Sequence, residues 1–274
     1  MSAETTIQQI GLKHGFSDLG KGVKIHYVEK GAPDGAPVVF VHGFPDSWNS
    51  FRPVLNEISP AFHSFALDLR GFGDSSRPEG GYAQDGFARD IIAFLDKHNI
   101  QKASLVGHSM GSFIVQRVAL LYPERVEKVV LIGSASKGKG NLVLGEALEI
   151  VNTLHDPIDK SFIVEFQSGT VKKNVSKEFF DTIISESFKA PVRVWEEALT
   201  GLTESDNRDQ LSKIKQKTLL VWGAFDTIFP REEQDILLKE IPQATLTIYQ
   251  KAGHSLNWEQ PEALARNLEQ FLNS

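Results

Sequence analysis

The stretch ASLVGHSMGSFIVQRVALLY, residues 103–122, decides how the rest of the chain is interpreted. It begins with a short apolar run, Ala103 to Val106, which is typical of a buried strand, and it ends in a helical pattern over Ser112 to Tyr122. Between them stands Gly107-His108-Ser109-Met110-Gly111, a G-x-S-x-G motif. Such a motif recurs by chance, but between a strand and a helix it predicts a sharp turn that exposes the serine hydroxyl.

The two glycines of the motif have a steric reason. Gly107 and Gly111 stand where strand and helix pass too close for side chains, and the turn strains the backbone of Ser109. The serine oxygen also lies at a helix N-terminus, whose dipole favours negative charge. We therefore predict that Ser109 is a nucleophile and not an incidental serine in a glycine-rich turn.

A serine hydroxyl is a weak nucleophile at neutral pH, and it needs a base that an acid orients. Among the eight histidines, His254 is the best candidate for the base, because it follows the last predicted strand and so lies at the same sheet edge as Ser109. Asp226 follows the preceding strand, and the order serine, acid, histidine fits. His108 adjoins the nucleophile and is predicted to have a packing or hydrogen-bonding role.

Other positions compete with Asp226 for the role of acid. Its alternative role is that of a turn or N-cap residue before Pro230. Asp206 and Asp209 are weaker rivals, because they lie outside the strand pattern. A second loop that can carry such an acid, residues 133–137, contains no carboxylate, which strengthens the case for Asp226.

A tetrahedral intermediate needs two backbone donors to its oxyanion. One is predicted to be the N–H of Met110, directly after the nucleophile. The other is assigned to Phe44, in the loop that follows the apolar strand Val38 to Val41. Gly43 lets that loop approach closely, and Pro45 fixes the turn but cannot donate.

Short β-rich runs alternate with helical patterns along the chain, which favours an α/β fold with a mostly parallel sheet between two layers of helices. The predicted strands are Lys24 to Glu29, Pro37 to Val41, Ser64 to Leu69, Ala103 to Val106, Val129 to Ile132, Thr218 to Trp222 and Ala244 to Tyr249. The predicted helices between them are Gln84 to His98, Ser112 to Tyr122 and Pro261 to Leu272.

Residues 137–214, called the helical segment below, contain no convincing strand. Four amphipathic patterns occupy it instead: Leu142 to Leu154, Asp159 to Gln167, Lys177 to Ser187 and Val192 to Leu199. We interpret the segment as a helical cap inserted into a core formed by residues 1–136 and 215–274. Its aromatic residues are mainly packing residues; Trp195 is the candidate for a residue of the substrate pocket.

Composition narrows the function. The net charge of -6 disfavours binding to nucleic acid and to anionic membranes. The absence of cysteine excludes disulfides, thiolate metal sites and a cysteine nucleophile. No signal peptide or apolar span of about 18 residues is evident, so we expect a cytoplasmic protein.

Four motifs together resemble the α/β-hydrolase superfamily: HGFPDSW at 42–48, DLRGFGDS at 68–75, GHSMG at 107–111, and the final pair Gly253-His254. The resemblance covers nearly the whole chain. It implies an eight-stranded sheet, a Ser-His-Asp triad that needs no cofactor or metal, and an active site between core and cap. Trp48, in the first motif, is a second candidate substrate-binding residue.

The HGFPDSW motif is similar to that of epoxide hydrolases and haloalkane dehalogenases, but those enzymes use an aspartate where this chain has Ser109. The helical segment also lacks the tyrosines with which epoxide hydrolases protonate their substrate. Both departures point to the serine branch of the family.

Within that branch, the sequence favours an esterase or lactonase acting on a small or medium apolar substrate through an acyl-enzyme. A carbon–carbon bond hydrolase of the meta-cleavage-product type and a cofactor-free perhydrolase remain alternatives. A ligand receptor on the same fold is less favoured. The only partner predicted is the small-molecule ester or lactone, and a homo-oligomer is compatible with the sequence.

Overall fold

The computed structural model describes residues 11–173 and 175–274. In these residues one sheet of eight strands has the order β1-β2-β4-β3-β5-β6-β7-β8. The strands are β1 Lys13–Gly20, β2 Val23–Gly31, β3 Pro37–Val41, β4 His63–Leu67, β5 Ala103–His108, β6 Val126–Ile132, β7 Lys217–Gly223 and β8 Ala244–Tyr249. From β4 to β8 all neighbouring pairs are parallel, whereas β1 and β2 are antiparallel to each other and β2 is antiparallel to β4. The predicted α/β fold with a mostly parallel sheet is confirmed.

Helices cover both faces of the sheet. They are α1 Arg52–Glu57, α2 Gln84–Lys97, α3 Met110–Leu121, α4 Leu142–Val151, α5 Lys160–Ser168, α6 Lys177–Ser187, α7 Val192–Thr203, α8 Arg231–Glu240, α9 Leu256–Glu259 and α10 Pro261–Leu272. None of those in the described ranges is long and apolar enough to cross a bilayer.

The central strands are buried on both faces, which explains their unbroken apolar sequence. In β3, Val39 and Val41 pack into the core that contains the apolar faces of α2 and α3, while Val38 and Phe40 pack into the core that contains α1 and α10. Alternate side chains of one strand therefore belong to different cores.

The helical segment carries α4, α5, α6 and α7 between β6 and β7, close to the four predicted patterns. An isolated antiparallel bridge joins Lys137 to Asp206 near its two ends. Ser176 accepts the N–H of Phe179 and caps α6. The segment thus leaves the sheet and returns to it at neighbouring points.

Candidate active site

The predicted turn at Ser109 is present and strained. The backbone of this residue has φ +51° and ψ −122°, a region that non-glycine residues rarely adopt. Its N–H donates to the carbonyl of Ile132 over 2.9 Å, and α3 begins at the next residue, Met110. The serine side chain therefore stands at the carboxyl end of β5 and at the N-terminus of a helix of 12 residues.

Both glycines of the motif are needed for close backbone approach. A Cβ added to Gly107 would lie 2.4 Å from the carbonyl oxygen of Gly111, and one added to Gly111 would lie 2.1 Å from that of Val41. These distances are too short for any side chain, so the steric reason predicted from the sequence is confirmed.

His254 and Asp226 form a buried pair at the same sheet edge. The Nδ1 atom of His254 lies 2.8 Å from Oδ2 of Asp226, with side-chain exposures of 4% and 0%. The other carboxyl oxygen of Asp226 accepts the N–H groups of Ile228 and Phe229 over 2.9 and 3.0 Å. A carboxylate held in this way accepts a hydrogen bond from Nδ1–H of an imidazole, and in that tautomer Nε2 is the acceptor.

The rival acids do not contact this histidine. Asp206 and Asp209 are exposed, and among the described residues neither is bonded to His254. The first position of the loop after β6 is also unfavourable for an acid, because Gly133 has φ +52° and a Cβ there would lie 3.1 Å from the His254 ring. Of the four positions weighed from the sequence, only Asp226 is placed to orient His254.

His108 is a buried hydrogen-bonding residue, as predicted. Its Nε2 donates to the backbone carbonyl of His254 over 3.1 Å, which ties the turn at Ser109 to the loop that carries His254. Burial lowers the pKa of His108 well below the usual value, so the ring is neutral at physiological pH.

The loop that carries Phe44 lies directly against Ser109. A Cβ on Gly43 would come within 3.0 Å of Cβ of the serine. His42 fixes this loop: its Nδ1 donates to the carbonyl of Gly43 over 2.7 Å, and its Nε2 accepts the N–H of Leu69 over 3.0 Å. Burial also lowers the pKa of His42, which keeps the ring in this neutral tautomer.

The N–H groups of Phe44 and Met110 are both available. Met110 is the first residue of α3, where an N–H has no partner within the helix. In the part of the chain that the structure describes, neither N–H donates to another protein group. Both N–H groups are therefore free to donate to a bound ligand.

A cavity of about 340 Å³ lies over these residues, between the carboxyl edge of the sheet and the helical segment. Ser109, His254, Phe44 and Asp46 line it from below. From above, α4, α5 and α7 contribute mainly apolar side chains, among them Val143, Ala147, Ile150, Phe166, Leu199 and Leu202. The volume and the apolar walls suit a small organic ligand.

The two candidate substrate-binding tryptophans lie outside the lining. Trp195 is fully buried behind it, with its ring 5.0 Å from that of Phe44 and 5.7 Å from that of Phe166. Trp48 is also buried and does not line the cavity; its ring centroid lies 5.3 Å from that of His14, edge-on. Both aromatic side chains are packing residues in this fold; the tryptophan that lines the cavity is Trp258, which sequence reasoning did not single out.

The charged groups at the cavity are all acidic. Asp46 is buried in its wall, and burial raises the pKa of this carboxyl to about 7. Glu146 and Glu165 are exposed and contribute to the lining from α4 and α5. No lysine or arginine occurs among the described residues that line the cavity. An anionic ligand would find no cationic partner here.

One group of metal-ligand types lies elsewhere, formed by His26, Asp68 and Asp74. Asp68 accepts from Nδ1 of His26 over 2.7 Å, and it also accepts the N–H groups of Trp48 and Asp74. Its oxygens are thus used in bonds within the fold. None of the three residues lines the cavity.

Comparison with known proteins agrees with the fold and the motifs. A family model described as the alpha/beta hydrolase fold matches residues 36–261. The chain is 31% identical over 265 residues to an uncharacterized hydrolase, YugF, of Bacillus subtilis, with 92% of this chain and 95% of that protein covered. It is 27% identical over 270 residues to a 2-hydroxy-6-oxo-2,4-heptadienoate hydrolase of Pseudomonas putida, with coverage of 93% and 94%.

A solved structure with the same fold is an esterase from Exiguobacterium antarcticum. It superimposes with a TM-score of 0.87 at 24% identity, over 96% of this chain and 100% of that chain. At this identity the likeness establishes the fold alone.

Proposed function

The chain belongs to the α/β-hydrolase fold family, and we propose that it is a serine hydrolase that cleaves small or medium apolar carboxylic esters or lactones. The observation that carries the proposal is the buried His254–Asp226 pair, whose histidine lines the same cavity as the strained Ser109. A histidine oriented by a carboxylate, in the same cavity as a serine hydroxyl, is the arrangement that acyl transfer requires.

In the proposed mechanism, Oγ of Ser109 attacks the ester carbonyl carbon and its proton passes to Nε2 of His254. The N–H groups of Phe44 and Met110 stabilise the oxyanion, and loss of one such donor costs a factor of about 10²–10³ in rate. The carbon–oxygen bond then breaks, and the leaving alkoxide takes the proton from His254. Water, deprotonated by His254, attacks the acyl-enzyme and releases the acid while the proton returns to Ser109.

The helical segment acts in this proposal as a cap. Its apolar side chains cover the acyl site and displace water, which strengthens the electrostatic interactions around the oxyanion. A cavity of about 340 Å³ limits the substrate to small or medium size.

The relative from Pseudomonas putida supports carbon–carbon bond hydrolysis as a second candidate function. Its substrate, by name, carries a carboxylate, and an anion in an apolar cavity needs a cationic partner. The charged lining residues described here are Asp46, Glu146 and Glu165. Like charges disfavour that substrate class, so the cavity supports a neutral ester or lactone.

A substrate panel tests the proposal. It contains p-nitrophenyl esters of graded acyl length, neutral lactones, and a p-nitrophenyl hemisuccinate as the anionic counterpart of the butyrate ester. We expect turnover of the neutral esters with a kcat/KM at least tenfold above that of the hemisuccinate. Preference for the hemisuccinate, or cleavage of a 2-hydroxy-6-oxo-dienoate without any esterase activity, would contradict the ester proposal in favour of the second candidate.

A further inference from the structure

Asp46 is a buried carboxyl in the cavity wall to which the proposed reaction gives no role. It is 2% exposed and follows Phe44 by two residues in the loop that carries the proposed oxyanion donor. Its own N–H donates to the carbonyl of Gly43 over 3.0 Å, so the loop 43–46 is a tight turn. No lysine or arginine in the described ranges forms an ion pair with it. A buried acid without a cation is costly, which calls for an explanation.

The side chain that meets this carboxyl comes from the helical segment. Nε2 of Gln167, in α5, donates to Oδ1 of Asp46 over 3.0 Å. The same amide nitrogen donates to Oγ of Ser187, in α6, over 3.0 Å, and that hydroxyl donates to the carbonyl of Ile183. Gln167 is itself 1% exposed. One buried amide thus joins two helices of the segment to the loop beside Ser109.

Aromatic contacts hold the same loop from above. The Phe44 ring lies 5.8 Å from that of Phe166, the neighbour of Gln167 in α5, and 5.0 Å from that of Trp195 in α7. Ring contacts restrain where Phe44 lies but not the rotation of its peptide group. The Asp46–Gln167 hydrogen bond is directional and acts at the other end of the turn.

We propose that Asp46 and Gln167 are positioning residues for the oxyanion: their hydrogen bond fixes the loop 43–46 so that the N–H of Phe44 points at the substrate carbonyl oxygen. The helical segment then contributes to transition-state stabilisation as well as to the pocket. This inference rests on the proposed function. If the Asp46–Gln167 hydrogen bond were purely structural, its loss would lower the stability of the folded chain and leave kcat unchanged.

The test compares Gln167→Leu, which removes the donor, with Asp46→Asn, which keeps an acceptor oxygen for Gln167. Asp46→Ala removes the acceptor instead and serves as the second disruptive variant. Gln234→Leu is the matched control, since this buried glutamine donates to the carbonyl of Ser134 and does not line the cavity. Active sites are counted with a fluorophosphonate label, so misfolded protein does not enter the rates.

Two measurements distinguish a positioning role of the Asp46–Gln167 hydrogen bond from a purely structural one. The first is kcat against KM for p-nitrophenyl butyrate. The second is inhibition by a butyl trifluoromethyl ketone, in which Oγ of Ser109 adds to the carbonyl carbon, its proton passes to His254, and the ketone oxygen becomes the anion. Affinity for this adduct depends strongly on the oxyanion donors, whereas binding of the uncharged ground-state ester, which KM reports, depends on them much less.

We expect Gln167→Leu and Asp46→Ala to lower kcat by about 10- to 100-fold. This loss is smaller than the one caused by removing an oxyanion donor, because the N–H of Phe44 is misplaced but still present. Ketone inhibition should weaken by the same factor, with KM changed less than about threefold. Gln234→Leu should stay within about threefold of the wild type in both readouts, and Asp46→Asn, which keeps the acceptor, should recover most of the activity and ketone affinity that Asp46→Ala loses.

Unchanged kcat and ketone inhibition in both disruptive variants, beside an active and labelled wild type, would overturn the inference alone. Loss of activity in Asp46→Asn equal to that in Gln167→Leu would overturn positioning in favour of an effect of the Asp46 charge. A wild-type chain that takes no label and hydrolyses no ester would overturn the proposed function, and the inference with it.

Discussion

The Nδ1 atom of His254 lies 2.8 Å from Oδ2 of Asp226, although 28 residues separate the two in the chain. Two turns make this contact, one after β7 and one after β8, and parallel pairing brings both to the same edge of the sheet. Two backbone N–H groups fix the second oxygen of Asp226. The orientation of the His254 ring is therefore determined by the sheet itself.

Asp226→Asn tests the role of this contact. An amide has no negative charge, and its NH₂ group can donate to Nδ1. The tautomer of His254 with its proton on Nε2 is then favoured, and the imidazolium is no longer stabilised. We expect kcat for a neutral ester to fall by about three to four decades with little change in KM. Asp206→Asn and Asp209→Asn, at exposed positions, are the controls. If either control were more damaging than Asp226→Asn, the acid would be misassigned.

Asp46→Asn should change the pH dependence of stability. Burial raises the pKa of Asp46 to about 7 from an ordinary value of 3.8. An acid with a raised pKa in the folded chain contributes stability that is full below about pH 4 and is lost as the pH rises through about 7. The asparagine variant avoids that loss. Its unfolding free energy should match the wild type near pH 4 and exceed it by about 2–4 kcal/mol at pH 8.

Urea unfolding at pH 4, 6 and 8 measures this difference. Asp74→Asn is the control with the opposite sign, because the hydrogen bond from Lys189 lowers the pKa of Asp74. That carboxylate stabilises the folded chain above its unfolded pKa, so the control variant should lose stability, by a small amount, at pH 8. A wild type more stable than Asp46→Asn at pH 8 would refute the prediction.

Trp195→Ala should act on stability and not on substrate choice. The side chain is fully buried against Phe44, Phe162 and Phe166, so its removal leaves a cavity and costs about 3–5 kcal/mol of unfolding free energy. Because Trp195 lies behind the lining, the ratio of kcat/KM for acetate and octanoate esters should change less than about threefold. A changed ratio at an unchanged melting temperature would assign Trp195 to the pocket.

Ala147→Phe should shorten the acyl chain that the site accepts. Ala147 lines the cavity from α4, and a larger side chain there occupies space that a long acyl group needs. We expect kcat/KM for octanoate to fall by tenfold or more relative to acetate. Glu149→Phe, on the exposed face of the same helix, is the control and should leave the ratio unchanged. Equal ratios in both variants would show that the acyl group does not extend along α4.

The motif around Ser109 could be predicted from the sequence because its constraint is local. The turn is specified by two glycines between a strand and a helix. A side chain at either Gly107 or Gly111 would clash with the neighbouring backbone. The central strands could be predicted for a similar reason, since burial on both faces demands a continuous apolar run.

What the sequence did not reveal depends on distant contacts or on weak patterns. Strand β1 escaped prediction because it is an edge strand with mostly exposed residues, and its pairing with β2 defines it more than its composition does. Asp46 and Gln167 are 121 residues apart, and no sequence motif around either residue predicts their buried hydrogen bond. Trp195 was predicted to line the pocket because the sequence shows only that it lies on the apolar face of a helix. The pattern cannot distinguish residues that line a cavity from residues packed behind them.

Labelling and turnover of Ser109→Ala test the proposed chemistry most directly. A fluorophosphonate probe should modify the wild type at Ser109 and at no other serine. The alanine variant should keep its fold, take no label, and lose about three to six decades of ester turnover. Ser185→Ala, at an exposed serine of α6, should behave as the wild type. Undiminished turnover by purified Ser109→Ala, or a label on a different serine, would contradict the assignment of the nucleophile.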